Sequence, residues 1–162
     1  MPGQTVADFD AGSGFFTRAA ARLVAPGPVW AVDPNRDLLP RIKNLALAEG
    51  LHNVEVVSGN IEKENGTHLP AGSFDAVIIA NSLFATDNIQ GVAAEAARVL
   101  RPGGRALVID WAGSFGGLGP APEHVVPAER ARKAFEGCGF EALGEADTGL
   151  YHWGLLLRTR AR

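Results

Sequence analysis

"VADFDAGSGFFTRAA", Val6 to Ala20, reads as a buried strand, a glycine-rich turn and the start of a helix. Gly12 and Gly14 let the backbone turn tightly and approach a ligand. The helix that follows aims its free N–H groups and positive dipole end at the same point. G-x-G is a weak signal alone; it gains weight from the strand before it and the helix after it. Two acids also flank this turn. Asp8 lies in the strand, and Asp10 stands where such a turn usually carries its first glycine.

These acids narrow the ligand. Dinucleotide binding needs G-x-G-x-x-G, whereas "GSGFFT" puts Thr17 at the third glycine's place. A pyrophosphate would be repelled by Asp8 and Asp10. No Gly-Lys-Ser/Thr follows, which excludes a Walker loop. A cationic sulfonium carrying an α-ammonium group suits such a mouth. The next strand ends in "WAVDPN", with Asp33 19 positions after Gly14. A carboxylate at that tip is placed to accept both ribose hydroxyl protons, which suggests an adenosine moiety. The alternative is that Asp33-Pro34-Asn35 caps the helix beyond.

Working outward, "TVADF", "VWAV", "VEVV", "FDAVIIA" and "RALVID" are short apolar runs that suit strands buried on both faces. Helical patterns separate them. Phe15, Phe16, Ala19, Ala20, Leu23 and Val24 fall on one stripe, as do Leu38, Leu39, Ile42, Leu45 and Ala46 before the stop at Gly50. A third helix is expected from about Asn88 to Leu100 and a fourth at about Ala128–Glu136. "GFEALGEAD" and "LYHWGLLLRTR" then read as a hairpin joined by "TG". The whole predicts an α/β fold: a doubly wound, mostly parallel sheet with an antiparallel C-terminal hairpin at one edge, sandwiched between helices. "AGSFGGLGPAPEH", Ala112 to His124, follows the fifth strand and is expected at the ligand-binding edge.

Composition sets outer bounds. The 162 residues suit a single domain spanning 1–162, and a formal charge of −3 gives no reason to expect nucleic acid. Arg158, Arg160 and Arg162 alternate in the tail and are expected to share one strand face as a charged edge. The single cysteine, Cys138, excludes an internal disulfide and a cysteine-cluster metal site, and the four histidines lack metal-ligand spacing, so no metal is expected. Neither a signal peptide nor a membrane span is evident, making a cytoplasmic protein the default.

Jointly these segments resemble the class I S-adenosylmethionine-dependent methyltransferases, which are Rossmann-like enzymes. "VADFDAGSG" is similar to their first motif, "VWAVDPNRDLL" to the acidic motif after the second strand, and "VEVVSGNIE" to the adenine-contacting segment. "SFDAVIIANSL" matches the fourth strand and "ARVLRPGGRALVID" the helix, turn and fifth strand. "DWAGSFGGLGPAPEHVV" is similar to a small bacterial subgroup. The resemblance implies that Asp8 meets the methionine ammonium, while Ala11, Gly12, Ser13 and Gly14 line the methionine and ribose. It assigns the ribose hydroxyls to Asp33, the neighbourhood of the adenine to Pro34 and Leu38, its flanks to Asn60 and Ile61, and the side of the transferable methyl to Asn81 and Leu83.

Three departures from the family pattern stand out. Asp10 replaces a glycine, and Asn60 stands where an acid is often found. The first strand also opens the chain almost directly, without the helix many relatives place ahead of it, so a second subunit is a candidate cover and a homodimer a candidate assembly. Asp10 either crowds the cofactor or pairs with its sulfonium or ammonium; the lost glycine changes backbone as well as charge, which favours crowding.

Methyl transfer from a sulfonium is an in-line displacement with an activated leaving group, so alignment matters most and a base only sometimes. Candidate polar groups are Asp110, His124 and His152, each with a structural alternative: a backbone cap, a loop residue and a sheet residue. Phe84, Trp111, Phe115 and Trp153 are candidates for an apolar acceptor pocket. The leading expectation is methyl transfer to a small or medium-sized acceptor. A degenerate fold module acting through a partner is the alternative, and a nicotinamide-dependent oxidoreductase ranks third.

Overall fold

The computed structural model describes residues 1–160. Seven strands form one sheet: β1 (Val6–Phe9), β2 (Val29–Asp33), β3 (Val54–Ser58), β4 (Phe74–Ala80), β5 (Leu100–Trp111), β6 (Phe140–Glu145) and β7 (His152–Thr159). Their order is β3-β2-β1-β4-β5-β7-β6, parallel throughout except for β7, which runs against both its neighbours. The expected parallel sheet with an antiparallel hairpin at one edge is what forms. Four helices cover it: α1 (Phe15–Val24), α2 (Leu38–Ala48), α3 (Ile89–Val99) and α4 (Ala128–Gly137).

Strand alternation divides the core into two layers. Ala7 and Phe9 of β1 join β4, β5 and β7 under α3 and α4. Val6, Val29, Ala31 and Val54 pack instead against Ala20, Ala21 and Val24 of α1 and Ile42 and Ala46 of α2. The order reverses between β1 and β4, which are direct neighbours. Their loops therefore open the crevice in which doubly wound proteins bind ligands.

Several expectations change in detail. The buried side of α1 is Thr17, Ala20, Ala21 and Val24, whereas Phe15 and Leu23 are 63% and 72% exposed. The apolar stripe read from the sequence is thus only partly buried, through Ala20 and Val24, and the helix is rotated so that Thr17 faces the buried Asp8 while Phe15 and Leu23 point outward. Leu45 of α2 is likewise exposed. The loop between β6 and β7 spans residues 146–151, longer than a "TG" turn, and Leu150 and Tyr151 lie outside β7. Arg158 belongs to β7 and pairs with Glu141, Arg160 follows the strand, and Arg162 lies outside the described residues. Cys138 is only partly buried, packed against the core beneath α3 and α4. No helix among the described residues is long and apolar enough to cross a membrane.

Candidate functional site

The loop after β1 is built on backbone geometry. Ala11 N–H donates to the Val32 carbonyl at 3.0 Å and Gly14 N–H to the Ala11 carbonyl at 2.8 Å. Gly12 and Gly14 both take positive φ, 55° and 74°. Gly14 ends the loop as the N-cap of α1, and Ile42 leaves little room for a side chain there. Asp10 also adopts a left-handed backbone, φ 54°, the conformation the missing glycine would have supplied. Aspartate is among the few residues that tolerate it.

Three carboxylates converge on this loop from two strands. Asp33, at the tip of β2, accepts from Gly12 N–H through Oδ2 and from Asn35 N–H through Oδ1, each at 2.9 Å. It therefore pins the glycine turn and also caps its own turn, as the capping reading expects. Asp8 is 2% exposed, and its Oδ2 accepts from Thr17 Oγ1 at 2.6 Å. Burial pushes its carboxyl up to about 7; bonds from Thr17 pull it down, and Asp10 and Asp33 raise it further. Asp10 rises to about 6 through burial and the charges of Asp33 and Glu62, which the nearby Ser82 hydroxyl opposes. Such a carboxylate set repels phosphate and suits hydroxyl protons and cations, so it fits a ribose beside a sulfonium and an ammonium.

The flanking loops complete the mouth. Asn60 follows β3 and accepts from Glu62 N–H through Oδ1 at 2.9 Å, so its amide oxygen already has one donor. Ile61 is buried in the core, and Glu62 accepts from Thr86. Glu95 of α3, 1% exposed, holds this segment by accepting from Asn65 N–H, Thr67 N–H, Thr67 Oγ1 and Arg98. Burial opposes its charge, yet the Arg98 and Thr67 bonds hold the carboxyl below its usual range. Pro34 is exposed and Leu38 half-buried at the start of α2. Ser13 is exposed at the rim.

Beyond β4, Asn81 has φ 56° and donates its N–H to the Ile109 carbonyl at 2.9 Å. Leu83 opens a 3₁₀ turn, Leu83–Ala85. Asp110, fully buried at the end of β5, accepts from Leu83 N–H at 2.8 Å and Phe84 N–H at 3.4 Å through Oδ2, and from Trp111 N–H at 2.7 Å through Oδ1. Burial raises its carboxyl, and these three donors pull it back. The structure thus places Asp110 as a backbone cap that fastens the turn beside the crevice.

His152 lies opposite Trp111 across the β5–β7 ladder, and their rings meet at a tilt of 39° with centroids 4.3 Å apart. Its Nε2 is buried without a hydrogen-bond partner among the described residues. Phe115 and Tyr151 make a second aromatic pair at 5.0 Å, and Ala112 N–H donates to the Tyr151 carbonyl. Gly119, φ 83°, passes so close to the Trp111 ring that a Cβ would stand 2.6 Å from it. The glycine-rich loop is therefore clasped to the start of β7. His124 sits exposed on a short 3₁₀ turn, Pro122–His124, with no side-chain bond to Asp110 or His152 among the described residues. Trp153 turns inward, donating Nε1–H to the Val126 carbonyl at 2.9 Å, so it is core and Tyr151 takes the rim. The described residues hold no cluster of three or more metal-ligating side chains. Sequence reasoning passed over Glu62 and Ser82, whose charge and hydroxyl bear on Asp10, because each comes from a loop whose path only the folded core sets.

The family model described as a methyltransferase domain matches residues 7–108, from β1 through most of β5. The chain belongs to the class I S-adenosylmethionine-dependent methyltransferases. It is 38% identical over 111 residues to the ubiquinone/menaquinone biosynthesis C-methyltransferase UbiE of Hahella chejuensis, and 35% over 112 residues to that of Ectopseudomonas mendocina. These matches cover 67% and 68% of this chain but only 43% of either relative, so the chain spans less than half their length. A SAM-dependent methyltransferase from Aquifex aeolicus superposes with a TM-score of 0.86 at 25% identity, over 97% of this chain and 82% of that one. The [4+2]-cyclase SpnF superposes with 0.84 at 18% identity, over 99% of this chain and 76% of that one, a likeness of fold. S-adenosylmethionine is accordingly the cofactor of this methyltransferase domain.

Proposed function

We propose that this methyltransferase transfers the methyl group to a small or medium-sized acceptor by in-line displacement. Bound S-adenosylmethionine supplies a methyl already activated on a positive sulfur, so the chain's own work is alignment and desolvation. Asp33 takes the ribose hydroxyls, with Ala11, Gly12, Ser13 and Gly14 along the methionine and ribose. Pro34, Leu38, Asn60 and Ile61 border the adenine, and Asp8 answers the ammonium charge from beneath the loop. Asn81 and Leu83 stand beside the methyl, positioned by Asp110. His152 is the proton acceptor for an acceptor group that must lose a proton early.

The observation that carries this reading is the Asp33–Gly12 bond: one carboxylate at the β2 tip fixes the glycine turn at the β1–β4 switch point. An acidic mouth on a chain of net charge −3 favours an uncharged or cationic acceptor over a polyanion. Isothermal calorimetry with S-adenosylhomocysteine and with NAD tests it. Micromolar binding of the former alone is expected; binding of NAD instead, or of neither, overturns it.

A further inference from the structure

A cavity of about 580 Å³ opens at the amino-terminal edge of the sheet, away from the cofactor loop. Its lining comes from the residues before β4, the ends of α3 and β7, the start of β5 and the turn into β6. The seven residues of β4 alone hold this edge about 20 Å from the crevice. One wall is Arg101 and Pro102, in "RPGG". Leu100 pairs with Phe74 but Arg105 with Ala76, so residues 101–104 bulge out of the ladder. Thr159 Oγ1 clamps the bulge by donating to the Arg101 carbonyl at 2.9 Å.

The backbone around the cavity is already bonded. The Arg98 and Val99 carbonyls at the end of α3 accept from Gly72 N–H and Ser73 N–H, each at 2.9 Å. After α4, the N–H groups of Cys138, Gly139 and Arg160 donate to the carbonyls of Phe135, Glu136 and Gly139. The carbonyls that would draw a cation to two helix ends are thus occupied, and side chains set the charge. Three arginines line the space. Arg98 is spent: Glu95 accepts from its Nε at 2.8 Å and its Nη2 at 2.7 Å, and the Leu69 carbonyl accepts from Nη2 at 2.9 Å. Arg101 is half exposed, with its Nη2 2.6 Å from Asp75. Other acids nearby have partners of their own, Glu136 in Arg132 and Glu141 in Arg158. Arg160 is exposed and forms no ion pair with any Asp or Glu among the described residues. The balance is one uncompensated guanidinium beside the apolar surface of Leu100 and Pro102.

We propose that this cavity is a second ligand site, which takes a small carboxylic acid with an apolar body. Its carboxylate lies against Arg160 and the remaining N–H groups of Arg101, and its body rests on Leu100 and Pro102. A planar guanidinium matches a carboxylate with two parallel hydrogen bonds. One unpaired positive charge answers one negative charge and leaves the second charge of a phosphate dianion without a partner. The volume is that of a small-molecule pocket. The site stands on its own, whatever the methyl donor and acceptor across the sheet.

Amide NMR on the full chain, titrated with phenylbutyrate, its neutral amide phenylbutyramide and inorganic phosphate, tests this. Phenylbutyrate should shift the Gly72, Gly139 and Arg160 amides and leave Gly12 and Gly14 in place. The amide lacks the charge and phosphate lacks the apolar body, so each should bind at least about tenfold more weakly. Arg160→Gln should weaken phenylbutyrate about tenfold. Arg158→Gln, whose guanidinium is engaged with Glu141, should leave it unchanged. No shifts at this edge, equal binding of the amide or of phosphate, or equal losses in the two variants would each overturn the proposal.

Discussion

Thr17 Oγ1 donates a 2.6 Å hydrogen bond to Oδ2 of Asp8, and both side chains are cut off from solvent. The hydroxyl stands where a dinucleotide fold would have its third glycine, and it satisfies the acid beneath the cofactor loop. Thr17→Val keeps the shape and removes the donor, leaving a buried acceptor unpaired. It should destabilise the protein by about 1–3 kcal/mol, read from urea unfolding. Thr17→Gly should add roughly 0.3–0.5 kcal/mol through its poorer helix propensity.

Asp10 links stability to pH. Its folded carboxyl titrates at about 6 against 3.8 for the free group, so between these values the folded state binds more protons than the unfolded one. Its contribution is complete below about pH 4 and disappears as pH rises through 6. Thermal unfolding of the ligand-free wild type and Asp10→Asn at pH 4.5 and 7.5 measures this. The variant should gain on the wild type at the higher pH.

Glu95 works with the opposite sign. Its carboxyl is held below the ordinary value of 4.5, so its contribution is present above that pH and is lost as pH falls through the lowered value. Removing it strands the Arg98 guanidinium and frees the segment carrying Asn60 and Glu62. Glu95→Ala should cost about 3–5 kcal/mol at neutral pH. Hydrogen exchange should show the amides of Asn65 and Thr67 opening first.

Gly119→Ala tests the aromatic clasp. A methyl group there would stand 2.6 Å from the indole of Trp111 on a backbone with φ 83°. The loop must lift, at a cost of about 1–3 kcal/mol. Near-UV circular dichroism should lose the signal of the stacked Trp111, while far-UV ellipticity stays unchanged.

The strand runs were legible because parallel strands buried on both faces are apolar along their whole length, as in "FDAVIIA". Asp33 was legible from its distance to the glycines. The exposure of Phe15 and Leu23 on α1 was not, since reading a stripe by hydropathy alone sets Thr17 aside, and only the burial of Asp8 on a different element calls it inward. Glu62 and Ser82 escaped for a related reason. Their places depend on Glu95 and Asp110, buried acids that hold backbone amides and leave no local periodicity. The β6–β7 loop ran past its apparent turn because Leu150 and Tyr151 look like strand residues, although Tyr151 is engaged with Phe115.

The two ring pairs, Trp111 with His152 and Phe115 with Tyr151, staple the end of β5 and the loop after it to residues some forty positions later. Transplanting residues 112–121 from a relative would remove Phe115 and leave Tyr151 without its ring partner, while the Trp111–His152 pair stayed. The two segments have to be exchanged as a matched set, with residues 146–152 travelling alongside.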